Sequence, residues 1–384
     1  MKFHQLAALG CLLGSSITAV TPVKRQNSGT ATLYLDQPSG KPEKLASGFI
    51  YGIPDNADGS ANTDIPTKYF KDMGFNYCRA GGAQGRWKSA LSNYCTTRRR
   101  GGKFILLIHD LWGTDGTQGA EPDLNLFWNA PQTQYLNLRK RTYERIWLVY
   151  VIAELPDVLI TRPSTAAPPS VDNQWYQNYL KYIARTNTIP DVYSWHLLNP
   201  SRNLREFKEQ FQTLLKKYKL PERPININEY AWISQLERHN AHGLRANWGS
   251  GGGLHDLMAN LFVNNTGDYS PTGEWQVYSY YNKEMKGQRV ATSPSDDELF
   301  EVHATRGGSA GPVKVLAAIR LVAGKRTCNL SISGLLALKI TGSTVRVRKK
   351  RLDGATRETA VSGSVDLGVF RHTISNDQVS GDCT

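Results

Sequence analysis

Several ionisable and polar residues stand near the ends of predicted β-strands, and their types are suited to acid–base or nucleophilic chemistry. Glu229 closes an apolar strand that begins at Pro224, and Glu121 lies in the string Ala-Glu-Pro-Asp at 120–123. Two carboxyl groups can divide the roles of general acid/base and nucleophile if the fold brings them together. The other residues that end predicted strands are Arg79, His109, Asp110, His196 and Trp248.

A fold that gathers these side chains is predicted from the order of segments between residues 46 and 265. Short β-rich runs alternate with helical patterns, which is the sequence signature of βαβ units and a parallel sheet. The seven predicted strands are 48–53, 75–80, 103–109, 158–161, 192–196, 225–230 and 244–248. The predicted helices are 67–73, 87–97, 134–146, 173–184, 204–218, 233–240 and 254–261. Either a barrel or a doubly wound sheet is compatible with this order.

The pattern changes near residue 274 to short β-rich stretches separated by Gly, Ser and Asp. These stretches are 276–281, 314–321, 329–332 and 344–349. They predict a C-terminal antiparallel β-sandwich. The predicted domains are therefore a signal peptide with a short propeptide at 1–25, a barrel at 46–265 and a sandwich at 274–384.

Seven strings of the sequence occur in the same order in a known group of proteins. They are FNYCRAGGAQ, GGKFILLIHDLWG, AEPDLNLFW, VLITRPSTAAPP, IPDVYSWH, RPININEYA and GEWQVYSYY. The first string begins at Phe75 and the last ends at Tyr281, so the strings are spread over a range of more than half of the chain. On these strings the chain resembles secreted fungal proteins similar to glycoside hydrolase family 39, the β-xylosidase-like branch of the retaining clan A glycosidases. The resemblance implies a (β/α)₈ barrel that hydrolyses β-glycosidic bonds of wall polysaccharides or their oligosaccharides.

The resemblance assigns roles to the two glutamates. Glu229 matches the nucleophile that forms a glycosyl-enzyme intermediate, and Glu121 matches the residue that serves first as acid and then as base. Retaining hydrolysis needs these carboxyl groups about 5 Å apart. The family asparagine that precedes the acid/base and holds the sugar 2-hydroxyl is replaced by Ala120. An alanine side chain cannot form that hydrogen bond, so transition-state stabilisation should suffer.

The remaining candidates match substrate-binding or supporting positions of the family. Arg79 resembles the arginine that bonds the nucleophile and keeps it ionised. His109, Asp110, His196 and Trp248 match residues that contact sugar hydroxyls or stack on a sugar face. A surface or packing role is the alternative for each of these five residues.

The segment before Glu121 is too short for a complete βα unit. Eight residues separate Trp112 from Glu121, and 114–119 contains no apolar run. A crossover between parallel strands needs a dozen residues or more. The third helix and fourth strand are therefore predicted to be missing, the barrel is expected to be incomplete around strand four, and activity is expected to be low. A mispredicted exon boundary and a decayed, non-catalytic carbohydrate-binding relative both explain this.

The N-terminal residues predict export. Lys2 precedes an apolar run at 6–13 and small residues at 15–19, and the dibasic pair Lys24-Arg25 follows. Removing this leader leaves Cys78, Cys95, Cys328 and Cys383, which predict disulfides in an oxidising compartment. Pairing Cys78 with Cys95 and Cys328 with Cys383 keeps each bridge within one predicted domain. Two triplets, beginning at Asn264 and Asn329, satisfy the N-glycosylation rule.

The chain is strongly basic, with a formal net charge of +13. Its densest basic runs are 98–100 and 346–351. One interpretation is that these runs are ordinary solvated faces. The other is that they bind an anionic partner, for which acidic polysaccharide is favoured over nucleic acid. No apolar run after the leader is long enough to span a membrane. The sequence lacks the GxSxG, phosphate-loop and zinc-ligand patterns, so neither metal nor cofactor is expected. The expected partner is an oligosaccharide or polysaccharide, with no nucleic acid or membrane.

Overall fold

A computed structural model describes most of the chain outside the N-terminal leader and several internal segments. The described residues are 26–50, 53, 64–81, 87–107, 159, 161–165, 167–197, 203–228, 232–245, 261–265, 268–308, 311–320, 326–352 and 359–382. Within these ranges, no helix combines the length and apolar character needed to cross a membrane.

Seven parallel strands form the larger sheet. They are β2 (Gly48–Ile50), β3 (Tyr77–Gly81), β4 (Lys103–Leu107), β5 (Thr161–Thr165), β6 (Val192–His196), β7 (Ile225–Asn228) and β8 (His242–Arg245). Their order across the sheet is β4-β3-β2-β8-β7-β6-β5. β2, the first of these seven strands along the chain, therefore pairs with β8, the last of them, and Gly48 lies opposite Leu244. This closing pair is typical of a barrel and excludes the doubly wound alternative.

The sequence prediction of this sheet is confirmed strand by strand, because each of the seven predicted strands overlaps an observed one. At β5 and β8 the comparison is partial, because residue 160 and residues 246–248 lie outside the described residues. The expected gap around strand four falls between β4 and β5, and residues 108–158 and 160 lie outside the described residues. The missing strand and the predicted helices 134–146 and 254–261 therefore stay predictions.

Amphipathic helices cover the outside of the parallel sheet. They are α1 (Thr67–Asp72), α2 (Trp87–Arg99), α3 (Gln174–Thr186), α4 (Leu204–Tyr218) and α5 (Ile233–His239). The start of α4 is fixed by Asn203, whose side-chain oxygen accepts a hydrogen bond of 2.8 Å from the Arg205 amide. The buried residues of α4 recur at helical spacing. Among them, the ring of Phe211 packs edge-on against the ring of Tyr193 in β6, with 4.9 Å between the ring centroids.

A sixth helix, α6 (Gly273–Lys283), replaces the strand that the sequence predicted at 276–281. That prediction is wrong because the aromatic, β-favouring residues of this segment pack as a helix against the barrel. Thr272 accepts the amide hydrogen of Trp275 at the helix start, and the Trp275 indole donates to the Tyr69 carbonyl at 3.2 Å. Tertiary packing has overridden an intrinsic strand preference.

A second, six-stranded sheet combines one strand from before the barrel with five from after it. The strands are β1 (Gln26–Pro38), β11 (Gln288–Ser293), β12 (Phe300–Arg306), β13 (Val313–Ile319), β14 (Arg326–Ser333) and β17 (Gln378–Asp382). Their order is β13-β12-β11-β1-β14-β17. The expectation of a purely antiparallel sheet is wrong, since β1 runs parallel to β14. Parallel pairing is possible here because the whole barrel connects the two strands.

Two short antiparallel pairs complete the described strands. β9 (Phe262–Asn265) pairs with β10 (Asp268–Pro271), and β15 (Thr344–Arg351) pairs with β16 (Val365–Thr373). We refer to β15 and β16 as the ribbon. Val345 of the ribbon packs against the core of the six-stranded sheet. A full two-layered sandwich and the exact domain boundaries stay predictions.

The predicted bridge between Cys78 and Cys95 is not formed. Cys78 is buried in β3, whereas Cys95 lies on the exposed side of α2 and carries a free thiol. The two side chains therefore face different environments. The second predicted bridge involves Cys383, which lies outside the described residues.

A buried polar network joins the barrel to the six-stranded sheet. The carboxylate of Glu237 in α5 accepts hydrogen bonds from the Lys44 amide at 2.9 Å and from the Tyr281 hydroxyl. It also pairs with Arg289 of β11 at 2.9 Å. Burial alone would raise the pKa of Glu237, but His303, Tyr281 and Arg289 more than offset it and lower the pKa. The side chain of Glu237 has no solvent exposure, so these groups replace its lost hydration.

A second ion pair reinforces the same contact beside Glu237. Arg238 of α5 donates to the Glu301 carboxylate of β12 at 2.9 Å, and Gln235 donates to the other oxygen at 2.8 Å. The Gln235 carbonyl in turn accepts the amide of Leu204, the first residue of α4. The network therefore fixes α5 against β11 and β12 and also reaches the neighbouring helix.

This network predicts that acid weakens the folded state. Burial lowers the pKa of His303 to about 4, and burial lowers the pKa of His239 to about 3. Below pH 6.5 the unfolded chain gains protons that the folded chain does not bind, so stability is lost as the pH falls from about 6.5 towards 4. His303 alone should account for about 2 kcal/mol between pH 7 and pH 5.

Urea unfolding at these two pH values measures this loss. The His303→Gln variant should show a pH dependence smaller by about 2 kcal/mol, because glutamine does not titrate. His372→Gln in the ribbon serves as the control and should leave the dependence unchanged. An unaltered pH dependence in the His303 variant would contradict the prediction.

Candidate functional site

The carboxyl ends of the parallel strands define one rim of the barrel, and the active sites of barrel enzymes lie at this rim. His196 is the last residue of β6 and is half-buried, and it stands opposite Asn228, the last residue of β7. Glu229 directly follows Asn228. Arg79 lies in the middle of β3, where its side chain is 6% exposed. A guanidinium that is this buried needs hydrogen-bonding or acidic partners.

The strand before Glu229 places two asparagines inside the barrel. Ile225 and Ile227 of β7 belong to the core shared with the helices, so the alternation of a strand directs Asn226 and Asn228 to the interior. Both asparagines are buried, at 4% and 1% exposure. Within the described residues, the side-chain oxygen of each has no hydrogen-bond partner. These oxygens are acceptors that water or a ligand can satisfy.

Two serines extend the polar interior towards β5. The hydroxyl of Ser194, in register with Asn226, lies 2.7 Å from the hydroxyl of Ser164. Ser164 has a positive φ of 56° where the pairing of β5 with β6 shifts register. This irregularity turns Ser164 towards Ser194 instead of continuing the regular alternation of the strand.

The interior beside β2, β3 and β8 is packed with larger side chains. The rings of Tyr77 in β3 and His242 in β8 meet edge-on, with 5.1 Å between their centroids. A Cβ atom placed on Gly48 would lie 2.6 Å from Leu244 and 3.1 Å from Tyr77, so there is no room even for a methyl group at Gly48. Burial lowers the pKa of His242, and Lys103 lowers it further, so the imidazole is neutral at neutral pH.

The interior is therefore filled by larger side chains beside β2, β3 and β8 and lined by small polar groups beside β5, β6 and β7. The polar groups that β5, β6 and β7 supply are mainly uncharged hydroxyls and amides. Such groups donate and accept hydrogen bonds without requiring a charged partner, which suits a neutral, hydroxyl-rich ligand.

The structure tests the placement of only two of the predicted site residues. Arg79 is buried within β3, and His196 ends β6 on the rim next to β7. Glu229, Glu121, His109, Asp110 and Trp248 lie outside the described residues, so their roles and their mutual distances stay predictions. Of the predicted strand at 103–109, the structure describes residues 103–107, which form β4.

The sequence prediction missed the interior asparagines and serines. The segment Ile-Asn-Ile-Asn at 225–228 has a strict two-residue alternation, which is the signal of a strand with one apolar and one polar face. Within a barrel strand the apolar face packs on helices, so the asparagines are assigned to the interior. Nothing comparable marks Ser164, because its direction depends on the register shift.

Solved structures with a similar fold include several glycosidases. The protein N2152 from Neocallimastix frontalis matches with a TM-score of 0.71 and 18% identity, over 93% of this chain and 96% of that one. A glucosidase from Croceicoccus marinus matches with a TM-score of 0.54 and 13% identity, over 92% and 98%. The family 51 α-L-arabinofuranosidase AbfB from Bifidobacterium longum gives 0.51 and 11%, over 93% and 98%.

A sequence relative points in the same direction. The chain is 24% identical over 205 residues to a 3-O-β-L-arabinopyranosyl-α-L-arabinofuranosidase of Bifidobacterium pseudocatenulatum. The match covers 48% of this chain and spans 20% of the length of the bacterial protein. No known family profile matches the chain. Together with the pairing of β2 with β8, the comparisons show that the chain shares the barrel-type fold of these solved structures, with an additional six-stranded sheet.

Proposed function

We propose that the protein is a retaining glycoside hydrolase that acts on β-glycosidic bonds of wall polysaccharides or their oligosaccharides. The observation that carries the proposal is that β7, a strand of the parallel sheet whose first and last strands pair, ends at Asn228, the residue before Glu229 in the sequence. The hydroxyl- and amide-lined interior formed by Ser194, Asn226 and Asn228 supports a neutral sugar as ligand. Glucosidases and arabinofuranosidases with similar folds add to this support.

In this proposal Glu229 is the nucleophile and Glu121 is the acid/base, as the resemblance to family 39 implies. Arg79 stabilises the ionised carboxylate, and His196 contacts sugar hydroxyls at the rim. His109, Asp110 and Trp248 complete the substrate contacts. The export signal, the basic charge and the two glycosylation triplets support an extracellular location, where such polymers occur.

Hydrolysis of chromogenic glycosides tests the proposal. We expect release of 4-nitrophenol from 4-nitrophenyl β-D-xyloside or 4-nitrophenyl β-D-glucoside. NMR should show that the sugar formed first keeps the anomeric configuration of the substrate. 4-Nitrophenolate leaves without prior protonation, so this substrate yields a signal even if Glu121 protonates leaving groups poorly. An inverted product would contradict the mechanism.

The same assay separates the alternatives. Turnover of the α-L-arabinofuranoside alone would retain the hydrolase proposal and overturn the β-specificity. Binding of xylo- or gluco-oligosaccharides in calorimetry without turnover of any glycoside would identify a non-catalytic carbohydrate-binding protein. The replacement at Ala120 and the short segment before Glu121 support this second candidate function.

A further inference from the structure

The two strands of the ribbon carry an unusual concentration of positive charge on one side. In β15 the exposed residues Thr344, Arg346, Arg348 and Lys350 alternate with the half-buried Val345, Val347 and Lys349. In β16, Arg371 stands directly opposite Arg346 and Val369 directly opposite Arg348. Directly opposed residues share one side of a sheet, so Arg346, Arg348 and Arg371 lie together. We call these three arginines the basic face.

The basic face points away from the protein core. Val345, on the other side of the ribbon, packs against the core of the six-stranded sheet, whereas all three arginines are exposed. Residues two apart on a strand are separated by roughly 6.5 Å, and opposed residues by roughly 5 Å between Cβ atoms. The three guanidinium groups can therefore engage one ligand at the same time.

Charges within the ribbon do not balance this face. Among the described residues, Arg346 and Arg371 form no ion pair. Arg348 lies 3.8 Å from Asp366, with side-chain exposures of 63% and 49%. An exposed pair at that distance contributes little, and Lys350 adds a further positive charge beside it.

Protection of an exposed strand edge explains charged residues at an edge but not this arrangement. Arg346 and Arg371 stand directly opposite each other. Like charges in this arrangement destabilise a sheet. Single cations distributed along the edges would prevent aggregation without that cost. The exposed Val369, in register with Arg348, adds an apolar surface next to the charges.

We propose that the basic face of the ribbon binds a carboxylated polysaccharide, separately from the barrel rim. The guanidinium group forms paired hydrogen bonds with a carboxylate, and uronic acid residues present one carboxylate each along the polymer. Val369 supplies contact for the apolar side of a sugar ring. The choice of a polysaccharide rests on the proposed function, whereas the anionic character follows from the charges alone.

Binding of the full chain to immobilised polygalacturonate tests the proposal. The variant Arg346→Gln/Arg348→Gln/Arg371→Gln should bind about tenfold more weakly, since three exposed ion pairs contribute a factor of about two each. The matched control Lys71→Gln/Lys181→Gln/Lys216→Gln removes three exposed cations from α1, α3 and α4 and should change binding less than about threefold. Raising the salt concentration should weaken binding of the unmodified chain more than that of the ribbon variant.

Four results would overturn the proposal. They are equal weakening in both variants, no binding by the unmodified chain, equal binding to methyl-esterified polygalacturonate, and preference for duplex DNA at matched charge concentration. Hydrolysis of neutral aryl glycosides should be the same in both variants. Loss of binding with unchanged hydrolysis supports the ribbon site, and absence of hydrolysis with intact binding contradicts only the proposed enzymatic function.

Discussion

Replacing Glu229 by glutamine should lower kcat/KM for a 4-nitrophenyl glycoside by on the order of 10³-fold or more. An amide of the same size keeps the shape of the site but cannot attack the anomeric carbon, so the covalent step is lost. Initial rates of 4-nitrophenol release, with the concentration of folded enzyme matched by thermal unfolding, provide the measurement. Activity of the variant close to that of the unmodified chain would remove Glu229 from the role of nucleophile.

Two further variants make this result specific. Glu222→Gln changes an exposed glutamate shortly before β7 and should leave kcat/KM unchanged. Glu121→Gln should reduce kcat/KM less than about tenfold for the nitrophenyl glycoside but by about 10²-fold or more for an oligosaccharide, whose leaving group needs a proton. Equal losses for the two substrates would contradict Glu121 as the acid.

Replacing Glu237 by glutamine should destabilise the protein by about 3 kcal/mol, the largest stability effect that we expect from a single substitution. The change removes the negative charge that Arg289 faces in a buried environment. It also substitutes an amide nitrogen, a donor, for one oxygen that accepts backbone hydrogen bonds from residues 43–45. A largely buried cation without its counter-ion and an opposed donor pair therefore remain.

Urea unfolding and the unfolding temperature measure this loss, and we expect the midpoint temperature to fall by about 4 °C. Glu209→Gln, at an exposed position of α4, removes the same charge and serves as the matched control. A difference below about 1 kcal/mol between the two variants would show that Glu237 is not the main link between α5 and the six-stranded sheet.

The parallel barrel could be predicted from sequence because its signals are local. The strand at 225–228 alternates Ile with Asn, and α4 repeats its apolar residues at helical spacing between a capping Asn203 and a left-handed Lys219. Each of these patterns depends on residues within one segment. The closing of the barrel by β2 and β8 is not local, so the order of segments left two topologies open until the pairing was known.

Errors arose where distant residues decide the outcome. The segment at 273–283 is rich in residues that favour strands, but it forms a helix because Trp275 and Tyr281 bury against the barrel. The Cys78–Cys95 bridge followed from proximity in sequence, whereas the thiols face different environments. Within the site, the rim positions of β6 and β7 could be anticipated, while the turn of Ser164 depends on a register shift.

The parallel pairing of β1 with β14 has a consequence for how the chain is made. Thr32 lies opposite Ser331, so a ribosome must add roughly 300 residues between the two strands, which takes roughly 15–60 s. For roughly the first 250 of these residues, until β11 is made, β1 has neither of its neighbours and remains available for pairing with other chains. The β-sheet domain is also discontinuous in sequence, so it cannot be moved to another protein through a single fusion point. Exchanging it between proteins requires two junctions, or a circular permutation that moves residues 26–38 behind the barrel.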